Sequence, residues 1–101
     1  MDIHNSIICI SVSGYLESDC EVRTDKNGHN YIRFRILCPT KDSMGKPTEI
    51  PFRCFSYNLN FSHLKKNDVV FVIGDFKFNK FKEKFNFDIY AQQIFYSGPS
   101  K

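Results

Sequence analysis

The sequence has no tryptophan and no Cys-x-x-Cys pair; its four cysteines, Cys9, Cys20, Cys38 and Cys54, stand far apart. Three of them lie in apolar runs, where a thiol serves as a small buried hydrophobe, so structural cysteines are expected and neither a disulfide framework nor a metal cage is. His4, His29 and His63 show no ligand spacing, which leaves a zinc site without support. No stretch approaches the roughly 18 apolar residues that cross a bilayer, and Met1-Asp2-Ile3-His4-Asn5 lacks the basic and apolar regions of a secretory leader. A cytoplasmic chain without membrane contact is expected. Catalytic signatures are missing too: the acids are scattered, no nucleophile has a histidine at recognisable spacing, and no glycine-rich phosphate loop occurs. These absences exclude the common enzyme classes and any cofactor, and leave binding.

What is abundant is aromatic surface, 11 Phe and 5 Tyr among 101 residues. That length holds one domain, residues 1–101 with a core over about 6–95, since a second core would have too little chain. Apolar residues at 42% and charged residues at 25% suit a small folded unit. The net charge of +3 hides an asymmetry, because residues 1–25 carry one base (Arg23) against five acids, and the remainder thirteen bases against six acids. A polyanionic partner on one side of the domain is the reading this favours; a merely solvated basic surface is the alternative.

Alternation marks the strands. Ser6 to Leu16 sets Ile8, Ile10 and Val12 against Cys9, Ser11 and Ser13, with Gly14 at a bend or close backbone approach. Glu21-Val22-Arg23 is a short extended piece leading to Asn27-Gly28, a tight turn with positive φ. From Asn30 to Cys38, Ile32, Phe34, Ile36 and Cys38 face one way and Tyr31, Arg33, Arg35 and Leu37 the other. Pro39 ends this strand, and Pro39 to Thr48 reads as a mobile loop. Glu49 to Tyr57 turns Ile50, Phe52 and Cys54 inward and Arg53, Phe55 and Tyr57 outward. Asn58 caps a short helix through about Lys66, with Leu59 beside Leu64. Val69 to Phe78 forms a fourth strand broken at Gly74, a charged tip spans Asn79 to Lys84, and Phe85 to Phe95 forms the last. Five strands with one short helix between the third and fourth is the order of an OB-fold, a five-stranded Greek-key barrel in an all-β protein. A seven-stranded sandwich fits this length poorly.

Three segments interleave bases with aromatics: Tyr31-x-Arg33-x-Arg35, Arg53-x-Phe55-x-Tyr57, and Phe76 to Phe85, which carries Lys77, Phe78, Lys80, Phe81, Lys82 and Lys84. Cations track a phosphate backbone and flat rings stack on unpaired bases without reading sequence, so this pattern points to single-stranded nucleic acid. Phe34, Phe52, Phe71, Phe87 and Phe95 are expected in the core, Phe55 and Phe81 in the binding surface. Tyr31 and Tyr57 suit either stacking or an oligomer interface.

The run Ser13-Gly14-Tyr15-Leu16-Glu17-Ser18-Asp19-Cys20-Glu21-Val22-Arg23, then Asn27-Gly28 and Phe34, resembles the start of bacterial single-stranded DNA-binding proteins, with their Gly-Arg-Leu, Asp-Pro-Glu-Val-Arg, Asn-Gly and Phe pattern. Phe55, Leu64-Lys65-Lys66 and Gly74 extend the likeness over about residues 6–95. The resemblance implies that Phe55 and Phe81 stand where that family stacks a Phe and a Trp on DNA. Tyr15 replaces a DNA-contacting base, and Glu17 and Cys20 replace a Gly and a Pro. The family's acidic-tipped tail has no counterpart before Lys101, which implies either a truncated chain or a compact variant such as one from a phage, plasmid or mobile element.

The resulting expectation is a non-enzymatic, sequence-nonspecific binder of single-stranded DNA in replication, recombination or repair, nucleoid-associated when bound. Its site comprises Tyr15, Tyr31, Arg33, Arg35, Arg53, Phe55, Tyr57, Lys77, Phe78, Lys80, Phe81, Lys82 and Lys84. A homo-oligomer, dimer or tetramer, is implied by the resemblance, and replication proteins are possible partners. A primosomal, PriB-like accessory protein and an OB-fold protein-assembly subunit are the alternatives.

Overall fold

The computed structural model describes residues 7–99 apart from the side chain of Phe81. Ser6, where the first alternation starts, lies outside the described residues, as do Met1 to Asn5. Six strands form: β1 (Ile8–Leu16), β2 (Glu21–Thr24), β3 (Asn30–Lys41), β4 (Pro47–Ser56), β5 (Asp68–Phe81) and β6 (Lys84–Pro99). Five of them close in the order β1-β5-β6-β4-β3, and Tyr15 opposite Leu37 and Leu16 opposite Ile36 bring β3 back to β1. β2 extends the sheet along β3. All pairs are antiparallel except β4 with β6, where Arg53, Cys54 and Phe55 face Asp88, Ile89 and Tyr90. This is the expected OB-fold barrel.

Its interior follows the period of two. Ile32, Phe34, Ile36 and Cys38 from β3 are buried, with Cys54 from β4, Val70 and Val72 from β5, and Ile89 and Ile94 from β6. All four cysteines are free thiols; Cys38 and Cys54 pack in the core, Cys20 is half-buried and Cys9 is exposed, and burial pushes the thiols of Cys20 and Cys38 up to about 11 and that of Cys54 higher still. Gly14 and Gly74 are required by close packing, since a Cβ on Gly14 would lie 2.5 Å from the Leu37 carbonyl oxygen and one on Gly74 would strike the Tyr90 backbone. Gly74 does not break β5, as alternation alone suggests. It sits at a bulge where the register against β6 shifts between Ile73 and Gly74.

Several other expectations are corrected. The helix after Asn58 is a single 3₁₀ turn, Leu59–Phe61. Asn58 does cap it, but the following backbone is captured by the β1–β2 connection: Cys20 N–H donates to the Leu64 carbonyl (3.0 Å), Asn67 N–H to that of Leu16 (2.9 Å) and Lys66 N–H to Asp19 Oδ1 (2.9 Å). Leu64 thereby joins the core while Leu59 stays exposed. Residues 39–48 are no loose loop, because β3 and β4 remain paired through Pro39 opposite Glu49 out to Lys41 opposite Pro47. This end of the hairpin reaches past the pairing of β3 with β1, and prolines are tolerated in such a ribbon.

The β2–β3 and β3–β4 turns use one device. Asp25 and Asp42 each take two backbone N–H groups on Oδ1, from Asn27 and His29 and from Met44 and Lys46, and Gly28 and Gly45 close the turns with φ of 85° and 80°. Asn27 itself keeps an ordinary φ. The tip between β5 and β6 shrinks to Lys82-Glu83, both at positive φ (48° and 64°), as a two-residue type I′ turn requires. Phe71 and Phe95, expected inside, pair with each other on the outer face, where Phe95 is 51% exposed. The unbroken apolar run Val69 to Ile73 carries no parity signal, and Val70 and Val72 take the inner face. Ile8 and Ile50 are also exposed, at the end where the hairpins overshoot the barrel.

Candidate nucleic-acid interface

Alternation sends Tyr31, Arg33, Arg35 and Leu37 of β3 to the outer face, and pairing places Arg33 opposite Phe55 and Arg35 opposite Arg53 of β4. The parallel pair then sets Tyr90 of β6 beside Phe55. Four rings gather as a result: Phe55 and Tyr90 stack with centroids 5.3 Å apart and planes at 22°, while Tyr31 lies 6.4 Å from Phe55 and 5.9 Å from Tyr57. They line a groove of about 380 Å³ together with Asp25, Ser56 and Ala91. Tyr57 is 65% and Tyr90 46% exposed, so their faces are open to solvent. The Tyr57 hydroxyl donates to Asp25 Oδ2 at 2.9 Å, fixing the ring against the β2–β3 turn. That hydrogen bond pushes the Tyr57 hydroxyl pKa up, and the backbone N–H of His29 foremost holds the Asp25 carboxyl below the usual range.

Beside the rings runs a row of arginines, each with a carboxylate. Arg53 donates from Nε to Asp88 Oδ1 (2.6 Å) and from Nη2 to Oδ2 (2.7 Å), and Asn79 Nδ2 also donates to Oδ2. Asp88 is 1% exposed, and its hydrogen bonds, then its charge, raise the Arg53 pKa. The Arg53 guanidinium carbon also lies 5.7 Å from the centre of the Phe55 ring. Arg33 Nη2 lies 3.3 Å and Arg23 Nη2 2.6 Å from Glu21 Oε2, and Arg35 Nε 3.0 Å from Glu17 Oε2. Hydrogen bonding to Arg23, then the charges of Arg23 and Arg33, lower the Glu21 pKa. A second groove, about 230 Å³, is lined by Glu17, Ser18, Asp19, Glu21 and the three arginines 33, 35 and 53. Glu17 and Glu21 of the acidic N-terminal stretch therefore face Arg35 and Arg33 of β3, and charge is interleaved here and not segregated.

The β5–β6 hairpin projects as an arm. Lys77 stands opposite Asp88 and Lys80 opposite Phe85, and both lysines are exposed, as are Lys82 and Lys84. Phe78 and Phe85 stack at 4.9 Å, with Lys80 Nζ 5.6 Å from the Phe85 ring centre. A depression of about 320 Å³ between Arg53, Asn79, Lys80 and Asn86 connects the arm to the arginine row. Alternation divides the arm, with Phe76, Phe78 and Lys80 on one side and Lys77 and Asn79 on the other. The Phe81 side chain lies outside the described residues. Tyr15 is separate from the rings, because its hydroxyl hydrogen-bonds Glu49 near the start of β4, which raises the Tyr15 pKa.

The structure thus unites Tyr31, Phe55 and Tyr57 with Arg33, Arg35 and Arg53, and places the lysines on an adjoining arm. It adds Tyr90, Phe85, Asp25 and Asp88. The alternation of Asp88 and Tyr90 about the buried Ile89 was a signal for an outward Tyr90, but no local pattern reveals that β6 pairs with β4 in parallel.

No family model and no curated protein sequence matches the chain. Its fold is similar to that of the small single-stranded DNA-binding protein from Streptomyces coelicolor (TM-score 0.71, 23% identity, covering 91% of this chain and 94% of that one). It is also similar to the S. cerevisiae mitochondrial single-stranded DNA-binding protein Rim1 (0.72, 16%, 94% and 100%) and to the Plasmodium falciparum SSB in complex with ssDNA (0.69, 15%, 95% and 98%). These likenesses span nearly the whole chain and show a shared OB-fold barrel.

Proposed function

We propose that this protein binds single-stranded DNA without sequence preference. The observation that carries the reading is the open group of four rings, Tyr31, Phe55, Tyr57 and Tyr90, set beside an arginine row on this barrel. Unpaired bases stack on the rings for roughly 1–3 kcal/mol each, and every base has a face to offer. Arg33 and Arg35 attract the phosphates between stacked bases, while Arg53 holds the Phe55 region in place through Asp88. Lys77, Lys80, Lys82 and Lys84 extend the track along the arm, and Phe78 offers a further ring on the side that carries Lys80; Tyr15 stands apart, against Glu49.

The reading assigns strand protection during replication, recombination or repair, with no catalysis and no cofactor. It places the protein in the cytoplasm, on nucleoid DNA when bound, and in a homo-oligomer that lengthens the track. Replication proteins are the further partners it foresees. A second reading, a protein-assembly subunit, draws on one observation: an apolar groove of about 340 Å³ between Ile8, Ile10, Ile50, Phe52, Phe76 and Phe87.

Because the chain has no tryptophan, its emission comes from five tyrosines, three of which, Tyr31, Tyr57 and Tyr90, belong to the ring group. Titration with oligo-dT should quench it to saturation, and Tyr90→Phe should remove part of the quench while retaining binding. Saturable binding with no quench contradicts stacking at these rings.

A further inference from the structure

We propose that Glu17 and Glu21 set the selectivity of this face for unpaired strands, by occupying the arginines that any polyanion would otherwise reach. The inference rests on the single-stranded DNA reading above. Both glutamates are built into position. Glu21 is the cross-strand partner of Arg33 in the β2–β3 ladder, and its carboxylate bridges Arg33 and Arg23. The backbone N–H of Glu17 donates to the Arg35 carbonyl at 2.9 Å while its side chain meets the Arg35 guanidinium. Opposite charges at such cross-strand positions attract, and the backbone bonds keep the carboxylates beside the arginines even when a side chain swings away.

Phosphate that approaches Arg33 or Arg35 must displace a carboxylate and then lie next to it. This weakens the charge-driven part of binding, which duplex and single strand share. Stacking is different. Duplex bases keep their faces inside the helix, so the ring group at Tyr31, Phe55, Tyr57 and Tyr90 rewards the single strand alone. Suppressing the shared contribution and keeping the exclusive one is discrimination by a repulsive element.

The experiment compares wild type, Glu17→Gln, Glu21→Gln and the double variant, titrated at one salt concentration with oligo-dT and with a hairpin duplex. Glutamine keeps the shape and hydrogen bonds and removes the charge. Exposed pairs are weak and the duplex has the denser charge, so the double variant should gain about tenfold for duplex and about threefold for oligo-dT, with steeper salt dependence for both. The ratio of the two affinities falls. Glu21→Asp keeps the charge and should keep the wild-type ratio, which separates charge from general disturbance of the fold. Variants that leave both affinities at the wild-type values, or gain equally for both ligands, contradict the inference alone. A wild-type protein that binds neither ligand contradicts the single-stranded DNA reading and this inference with it.

Discussion

The guanidinium of Arg53 grips the buried carboxylate of Asp88 through two hydrogen bonds, 2.6 and 2.7 Å long, across the parallel pairing of β4 with β6. The pair joins residues 35 positions apart and sets the spacing between Phe55 and Tyr90, the next outward residues on the same two strands. Arg53→Ala strands the Asp88 carboxylate with Asn79 as its remaining side-chain donor. We expect a loss of about 2–3 kcal/mol in urea unfolding, below the range for a fully buried pair because Arg53 keeps 35% of its side chain exposed. Arg53→Lys should recover only part of it, since an ammonium cannot make both bonds in one plane.

Stacking and charge separate in the salt dependence. Phe55→Ala or Tyr90→Ala should weaken oligo-dT binding by about 1–3 kcal/mol each with little change in slope. Arg35→Ala should weaken it less and flatten the plot of log affinity against log salt. Titrations at 50 and 200 mM salt measure both quantities.

Acid should loosen the β2–β3 turn through Asp25. Its folded-state pKa is depressed, first by the His29 N–H, so its stabilising contribution is complete above the unfolded value near pH ~4 and disappears as pH falls through the lower folded value. Asp25→Asn should therefore show a shallower fall in melting temperature below pH ~4 than wild type. Near-neutral pH should leave the wild-type melting temperature insensitive to this residue's titration.

Glycines should differ by role. Gly45→Ala places a Cβ in open space at φ 80° and should cost about 1–2 kcal/mol. Gly74→Ala drives a Cβ into the Tyr90 backbone at the bulge and should cost more, while also shifting Tyr90 and reducing oligo-dT affinity. Chemical denaturation and binding measured on the same pair of variants check the contrast.

Much of this was legible in the sequence because strand parity is local. Ile32, Phe34 and Ile36 against Tyr31, Arg33 and Arg35 can be read from nine residues, and the outward turn of Phe55 and Tyr57 from a few more. What failed depended on partners distant in the chain. Leu64 and Lys66 look helical until Cys20 and Asp19 take their backbone groups, and Phe71 and Phe95 look like core because an all-apolar run hides which face is inside. Pro39 looks like a stop when the pairing to Glu49 is unseen. The site divided in the same way: Tyr31, Phe55, Tyr57 and the arginines were visible, but Tyr90 and the carboxylates come from β6, β2 and the residue after β1, and only the fold brings those together.

The most direct test is competition between oligo-dT and duplex of equal phosphate count for the wild-type protein at near-physiological salt. Binding through the rings predicts that oligo-dT is preferred strongly, that the preference widens as salt rises, and that base composition hardly matters. Equal affinity for the duplex would contradict the account.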